Sequence, residues 1–502
     1  MEKHGADRSK ILELLEHYGG LKPGVAEQIS KETGVPAADV YGVATFYTLV
    51  SRPDAGVRVC QGLTCKMMGC DDLLGELEAR GVKHEAVSCL GQCDRAPAAV
   101  DEKLLPISIP PPGDVTPNDP NLPMNLAGTD SADYAALTRT REMGIDAVLA
   151  EIEVSGLQGR GGAGFPAGFK WRAVRNETAL QKYVVVNADE SEPGTFKDRM
   201  VMERRPHLML EGMAIAALVA GADVAYVYIR GEYQEAKHAI EKAVEEAGEV
   251  LSSWLDVRVV EGHGAYICGE ETALLEAIEG KRGMPRLKPP YPTQVGLFGQ
   301  PTLMNNVETL ACVPSIVHRG GEWFKAQGHT EPGSKLFSIS GHVAHPGVYE
   351  LPLGVNLDEL VEAAGGYVGT PIAFSPGGAS AGFLPISQRE LPLDFKSLQA
   401  AGSMMGSSGV VVLNDTIPIT KAALWGLVFF EDESCGQCTP CRVGCAVQRQ
   451  ALQRFIDGDA SALKHAEDVA WEMEEGSICG LGQVASWPLT TAMKHFPKEF
   501  GS

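Results

Sequence analysis

Four cysteines near the C-terminus have the residue type and spacing to hold a redox cluster. Cys435, Cys438 and Cys441 follow a C-x2-C-x2-C pattern, and Cys479 comes after 37 intervening residues. Three thiolates at that pitch can hold three corners of an iron–sulfur cube, and a distant fourth can close it. Such a centre moves single electrons. Zinc is the alternative, but its four donors usually come as two pairs. A triplet flanked by Gly436 and Pro440 favours [4Fe–4S]. Cys445, one helical turn beyond Cys441, reads as a packed thiol, because the glycine-rich setting of Cys479 looks more like a ligand loop.

A second set lies near the N-terminus. Cys60 and Cys65 form one pair, and Cys89 and Cys93 another, with 23 residues between the pairs. Each pair follows a predicted strand. One pair per iron suits a [2Fe–2S] rhomb, with zinc, or a domain that has lost its metal, as the alternatives. Cys70 falls in the helix after the first pair. Cys268 and Cys312 sit in apolar surroundings and read as buried thiols.

Between the two cysteine sets runs Gly159-Arg160-Gly161-Gly162-Ala163-Gly164. The string satisfies G-x-G-x-x-G, yet a Rossmann fingerprint needs a strand before it. Asp146–Val154 reads as a helix instead. A glycine nest whose amides approach a phosphate, with Lys170 adding charge, is the better reading. Asn187, Asp189, Glu190 and Glu192 follow an apolar strand, where carboxylates and amides suit ribose or ribityl hydroxyls. Tyr266, Gly269, Glu270 and Glu271 open a helix, and Asn305 and Asn306 precede another. Four polar loops in one α/β block point to a shared site.

These loops need elements to position them. A chain of 502 residues is too long for one core, so several domains are predicted. Residues 1–105 read as short helices followed by a strand–helix–strand unit, with strands at 56–60 and 83–88 and a helix at 71–80. A proline-rich linker spans 106–133. Residues 134–330 alternate helices with apolar strands and read as α/β. Residues 331–420 are strand-rich and β-grasp-like, and 421–502 are helical. The net charge of −22 argues against general nucleic-acid or membrane-surface binding. No apolar run is long enough to span a membrane. Residues 1–10 are polar rather than signal-like, so a cytoplasmic setting with reduced, metal-binding thiols is expected.

The strings together resemble a known family. Ser155–Leu157, Gly159–Pro166, Asn187–Glu190 with Glu192–Thr195, Gly264–Tyr266 with Gly269–Glu271, Asn305–Thr309 and Glu433–Arg442 are similar to the NADH-oxidising, FMN-containing subunit of respiratory complex I and its relatives. Tyr41–Tyr47 and Cys89–Asp94 resemble the small thioredoxin-like [2Fe–2S] subunit of the same module. The resemblance implies a multidomain α/β protein that carries FMN, NAD(H), [4Fe–4S] and [2Fe–2S]. It places FMN on Gly159, Arg160, Gly161, Gly162, Gly164 and Lys170, completed by Asn187, Asp189, Tyr266, Gly269, Glu270, Asn305, Asn306 and Thr309. NADH would stack over the flavin near Phe165, Glu192, Glu271, Lys288 and Tyr291. Glu192 and Glu271 are the expected catalytic carboxylates. With Glu190, they are expected to face one pocket and keep the nicotinamide site acidic.

Two subunits that are separate in complex I are fused here, and the first helical segment is shortened. Such fusions resemble the β subunits of soluble NAD-dependent formate dehydrogenases and the diaphorase subunits of bidirectional [NiFe]-hydrogenases. The formate dehydrogenase is the expected match. The hydrogenase and complex I are the alternatives. The implied partners are an iron–sulfur/molybdopterin catalytic subunit and a small [2Fe–2S] subunit, in a hetero-oligomer without nucleic acid or direct membrane insertion.

Overall fold

A computed structural model describes residues 7–107 and 113–501. The first six residues of the polar N-terminal stretch, and residues 108–112 of the predicted linker, lie outside the described residues.

The centre of the molecule is a four-stranded parallel sheet. Its order is Asp256–Glu261, Val224–Ile229, Tyr183–Ala188, Thr302–Asn306. Val184, Val185 and Val186 are all fully buried, as expected of a parallel strand covered on both faces. Alternate side chains point to opposite faces. Val184 and Val186 pack against helices Ile145–Val154, Ala167–Asn176, Pro206–Ala220 and Val313–Arg319. Val185, Tyr226, Tyr228 and Met304 face the other way.

The covering of that second face comes largely from the N-terminus. Helices Ile11–His17, Val25–Thr33 and Ala37–Ala44 lay Ile11, Leu15, Ile29, Val40 and Val43 on it, beside Leu274 and Leu275 of helix Glu271–Ile278. Each such aliphatic side chain contributes about 1.5–3 kcal/mol on burial. The N-terminal helices are therefore a layer of the central block. They stand apart in packing from the small sheet that follows them in sequence.

That small sheet has the order His84–Val87, Val57–Cys60, Ala99–Val100 and is packed by helix Cys70–Ala79. Two of its strands and this helix fall within one residue of the sequence prediction, whereas strand Ala99–Val100 and the short helix Leu63–Met67 were not expected. A mixed six-stranded sheet forms the third layer. It runs Leu384–Pro385, Pro371–Ser375, Gly409–Asn414, Ser334–Gly341, Gly347–Pro352, Asp114–Val115. Its last strand comes from the segment predicted as a free linker. Asp114–Val115 pairs in parallel with Gly347–Val348, and Met124 and Asn125 donate their backbone N–H groups to Glu350 at 3.1 and 2.8 Å. The prolines there have no N–H to satisfy, so a few amides suffice to anchor the chain.

Glu350 is buried, and burial pushes its carboxyl up to about 7 against the hydrogen bonds it accepts. A raised carboxyl favours the protonated fold. The stability it contributes is full below the ordinary carboxylate range and is lost as pH rises through 7. Glu350→Gln is expected to be less stable throughout, because its amide meets a donor. Its stability should nevertheless fall less between pH 5 and 8, by about 1.4 kcal/mol for each pH unit by which burial has raised the carboxyl. Thermal unfolding of both proteins across that range checks this, and parallel curves would contradict it.

The C-terminal region is helical: Ile419–Glu433, Thr439–Ile456, Ala466–Gly476, Gly480–Val484 and Trp487–His495. Among the described residues, no helix is long and apolar enough to cross a membrane.

Candidate functional site

The carboxyl ends of the central strands open into a cleft of about 810 Å³, where ligands bind in open α/β sheets. Asn187 is the penultimate residue of one strand, and Asn305 and Asn306 end its neighbour. All three line the cleft. The Asn187 side-chain amide donates to the Gly269 carbonyl at 2.8 Å, and Trp171 Nε1 donates to Asn305 Oδ1 at 2.9 Å. Both amides are thus held in fixed orientations.

The glycine loop closes one wall. Gly159, Gly161, Gly162 and Gly164 line the cleft. A helix precedes the loop and another, Ala167–Asn176, follows it. The loop is pinned at its neck, where Gly159 N–H donates to the Phe165 carbonyl at 2.8 Å. Gly164 has φ +64°, and a Cβ there would stand 2.9 Å from the Phe395 ring. At Gly161 a Cβ would come within 3.1 Å of Asn306 Cβ. The loop thus offers bare backbone to the cleft, which suits an anionic group. Phe165 and Tyr291 are about half exposed at the rim. Phe169, which sequence reasoning missed, joins Phe165 edge-on with ring centres 5.6 Å apart.

Charge inside the cleft is balanced. Lys170 Nζ stands 3.4 Å from Glu271, and Lys288 Nζ 3.2 Å from Glu271 and 2.9 Å from Glu270. Burial pushes the Glu271 carboxyl up, but Lys170 and Lys288 outweigh it and hold it below the usual range. Glu270 caps helix Glu271–Ile278 by accepting from Thr272 and Ala273 N–H, each at 2.9 Å.

Six of the expected site residues do not line the cleft. Arg160 points away and is fully buried, although its N–H donates to Thr309 Oγ1 at 2.8 Å behind the loop. Glu190 turns to the N-terminus of helix Lys197–Arg204, accepting from Asp198 and Arg199 N–H at 2.8 and 3.0 Å. Glu192 accepts from Tyr266 Oη at 2.5 Å and from Ser380 N–H at 2.8 Å, at the seam with the six-stranded sheet. Three carboxylates facing one pocket is therefore not the arrangement: the acids of the cleft are Glu270 and Glu271. Asp189 lies just behind the cleft wall, its Oδ2 3.6 Å from the Cβ position of Gly269. That oxygen has no hydrogen-bond partner, and burial pushes the carboxyl up to about 8.

The four cysteines of the C-terminal set border one apolar cluster. All twelve cysteines are free. Among the described residues, no three His, Cys, Asp or Glu groups form a ready site for a metal ion. Around the N-terminal set, Gly62, Ala98 and Gly91 N–H donate to the sulfurs of Cys60, Cys65 and Cys89, each at 3.4 Å. Such donors stabilise bound thiolates. Left without metal these thiols resist ionisation: the contact with Cys65 raises Cys60, and burial pushes Cys93 up to about 12.

Residues from the central block clamp the loop that carries Cys89 and Cys93. Buried Arg230 donates to the Cys89 carbonyl, and Arg199 pairs with Asp94 at 2.6 Å. Gly91 lies so close to Tyr233 that a Cβ would fall 2.1 Å from its hydroxyl. Neither Arg230 nor Tyr233 was singled out from sequence, because nothing local marks them.

The C-terminal set borders the cleft. Cys438 occupies the N-cap position of helix Thr439–Ile456, Cys441 lies in its first turn, and Cys479 occupies the N-cap position of the short helix Gly480–Val484. A helix N-terminus suits an anionic cluster. Ile478, Cys479 and Gly480 also line the glycine-loop cleft. Glu433, the first residue of the cysteine string, accepts from Tyr266 N–H at 2.9 Å and from Ser88 Oγ. It thereby joins the cleft loop, the small sheet and the thiol loop.

Comparison with known proteins agrees with this geometry. Residues 152–315 match the Nuo51 FMN-binding domain, and 421–502 the NADH-ubiquinone oxidoreductase-F iron–sulfur binding region. Residues 1–105 match the thioredoxin-like [2Fe–2S] ferredoxin, and 336–384 the SLBB domain. The F 2 subunit of NADH-quinone oxidoreductase from Rhizobium meliloti (strain 1021) is 48% identical over 370 residues, covering 71% of this chain and 88% of that protein. The corresponding F subunit from Rickettsia felis is 44% identical over 374 residues, covering 71% and 89%. Among solved structures, a chain of NAD+-reducing [NiFe]-hydrogenase in the H2-reduced state superposes with a TM-score of 0.91 at 31% identity, over 99% of this chain and 93% of that one.

The bare glycine wall, the unpartnered Asp189 oxygen and the all-thiol donor sets fit the groups these matches name. The cofactors are FMN, NAD(H), [4Fe–4S] and [2Fe–2S]. The chain belongs to the complex I family of NADH-oxidising, FMN- and iron–sulfur-containing electron-transfer subunits.

Proposed function

We propose that the chain is the diaphorase subunit of a soluble NAD-linked oxidoreductase, and that its partner is a formate dehydrogenase catalytic subunit. The observation that carries the diaphorase reading is that the Cys479 loop and the glycine loop line one cleft. Flavin, when bound, accepts a hydride from nicotinamide and releases electrons singly.

The residues of the chain supply position and field. Amides of Gly159–Gly164, with Lys170, hold the flavin phosphate. Asn187, Asn305, Asn306 and, from behind the wall, Asp189 orient the remainder. Phe165 and Tyr291 offer apolar faces to the nicotinamide dinucleotide at the rim, and the ion-paired Glu270, Glu271 and Lys288 bound its pocket. Glu192 acts through Tyr266 as a positioning residue rather than as an acid in the cleft.

The formate reading rests on the fused layout. A hydrogenase diaphorase shares that layout over nearly the whole chain, which favours hydrogenase as the second reading. Identity to that chain is 31% over nearly the whole length, and a complex I subunit reaches 48% over the shared region, so complex I stands beside hydrogenase as an alternative. Shared architecture therefore outruns shared sequence. Purifying the native complex and assaying its metals and its formate- and H2-dependent NAD+ reduction tests the choice. Molybdenum or tungsten with formate activity is the expected result. Nickel with hydrogen activity would overturn it in favour of the second reading, and co-purifying membrane subunits would overturn it in favour of complex I.

A further inference from the structure

The C-terminal ligand set contains a fifth thiol that the C-x2-C-x2-C pattern does not use. Cys445 is buried, and its sulfur stands 3.9 Å from that of Cys441. No other polar contact is made by its sulfur among the described residues. Both cysteines lie on helix Thr439–Ile456, four residues apart and so on one face. Side chains on a helix lean toward its N-terminus. The Cys445 thiol is therefore tilted back over Cys441, toward the end of the helix where Cys435 and Cys438 stand. All five cysteines share one apolar shell with Phe429, Phe430, Met473 and Leu481. Cys441 and Cys445 are buried in that shell, where a thiolate needs a metal, while Cys435, Cys438 and Cys479 are partly exposed at its edge.

We propose that Cys445 is a reserve ligand for the [4Fe–4S] centre, placed to cap the iron of Cys441 when that thiolate is lost. The inference rests on the four-cysteine assignment and adds a fifth residue to it. In the exchange, the Cys445 thiol gives its proton to the buffer, and its sulfur lone pair forms the Fe–S bond that Cys441 no longer makes. No electron is gained or lost, and the cluster keeps four irons.

The arrangement is specific to one corner. The thiols of Cys435 and Cys479 have no comparable neighbour one turn away, so their loss should not be repaired.

The test is iron content and electron paramagnetic resonance of the dithionite-reduced full-length protein. Cys445→Ala is expected to leave the spectrum unchanged. Cys441→Ala should keep a four-iron cluster with shifted g-values, and Cys441→Ala/Cys445→Ala should lose it. Equal loss in the single and double Cys441 variants would overturn the proposal, as would equal retention. A changed spectrum in Cys445→Ala would also overturn it, because the thiol would then be a resident ligand. If Cys441→Ala yields too little protein, Cys441→Ser replaces it. Cys441→Ser is expected to show cysteine ligation that reverts to serine ligation in Cys441→Ser/Cys445→Ala. Identical spectra for that pair would overturn the proposal.

Discussion

Cys438→Ala is expected to stop electron delivery to the partner while leaving reduction of the flavin by NADH intact. Cys438 occupies the N-cap position of helix Thr439–Ile456 and does not line the cleft, whereas Cys479 does. Removing it takes one corner from the cluster without touching the glycine loop or the asparagines. Stopped-flow bleaching of the flavin by NADH and turnover of the intact complex separate the two steps. A variant with normal turnover would exclude this centre from the path. A variant in which flavin bleaching also fails would show that the cluster and the flavin site fold as one.

The second large effect is expected at Gly164. Its φ of +64° is costly for any residue with a Cβ, by about 1–3 kcal/mol. A side chain there also meets the Phe395 ring at 2.9 Å. Gly164→Val should therefore displace the loop and weaken flavin retention by roughly a hundredfold or more, the equivalent of about 3 kcal/mol. Iron content should stay unchanged, since both thiol sets lie outside the loop. Flavin-to-protein and iron-to-protein ratios after gel filtration check this. Full flavin occupancy in the variant would contradict the assignment of the loop as the phosphate cradle.

What the sequence made legible was local. Cysteine spacing marked both iron–sulfur regions that the family matches name, because thiolates bound to one cluster must return to one point at short intervals. The α/β alternation of residues 134–330 was legible from continuous apolar runs, which the structure draws as strands such as Tyr183–Ala188 and Val224–Ile229. The helix before the glycine loop was legible from its period, and it argued against a Rossmann unit.

What was not legible depended on direction and partner. Asn187 and Glu190 are three residues apart, yet one lines the cleft and the other caps a helix behind it. The chain leaves its strand between them, and no periodicity survives a turn. Glu192 looked like a cleft acid because the match to the family is a match of strings rather than of side-chain orientation. The apolar face of the N-terminal helices was evident, but the sheet it covers was not, since Ile11 and Val185 are far apart in sequence. The two-residue strand Asp114–Val115 is too short to show alternation, so its segment read as a linker. Arg230 and Tyr233, which hold the Cys89 loop, carry no local mark at all.

Flavin, iron and zinc analysis of the anaerobically purified chain, followed by NADH titration under electron paramagnetic resonance, tests whether this chain passes electrons from NADH through flavin to two iron–sulfur clusters. One flavin and about six irons per chain are expected, from one [4Fe–4S] and one [2Fe–2S], with flavin absorbance bleached by NADH and cluster signals appearing as reduction proceeds. A colourless protein with zinc in place of iron, or a flavin that NADH does not reduce, would contradict this electron path.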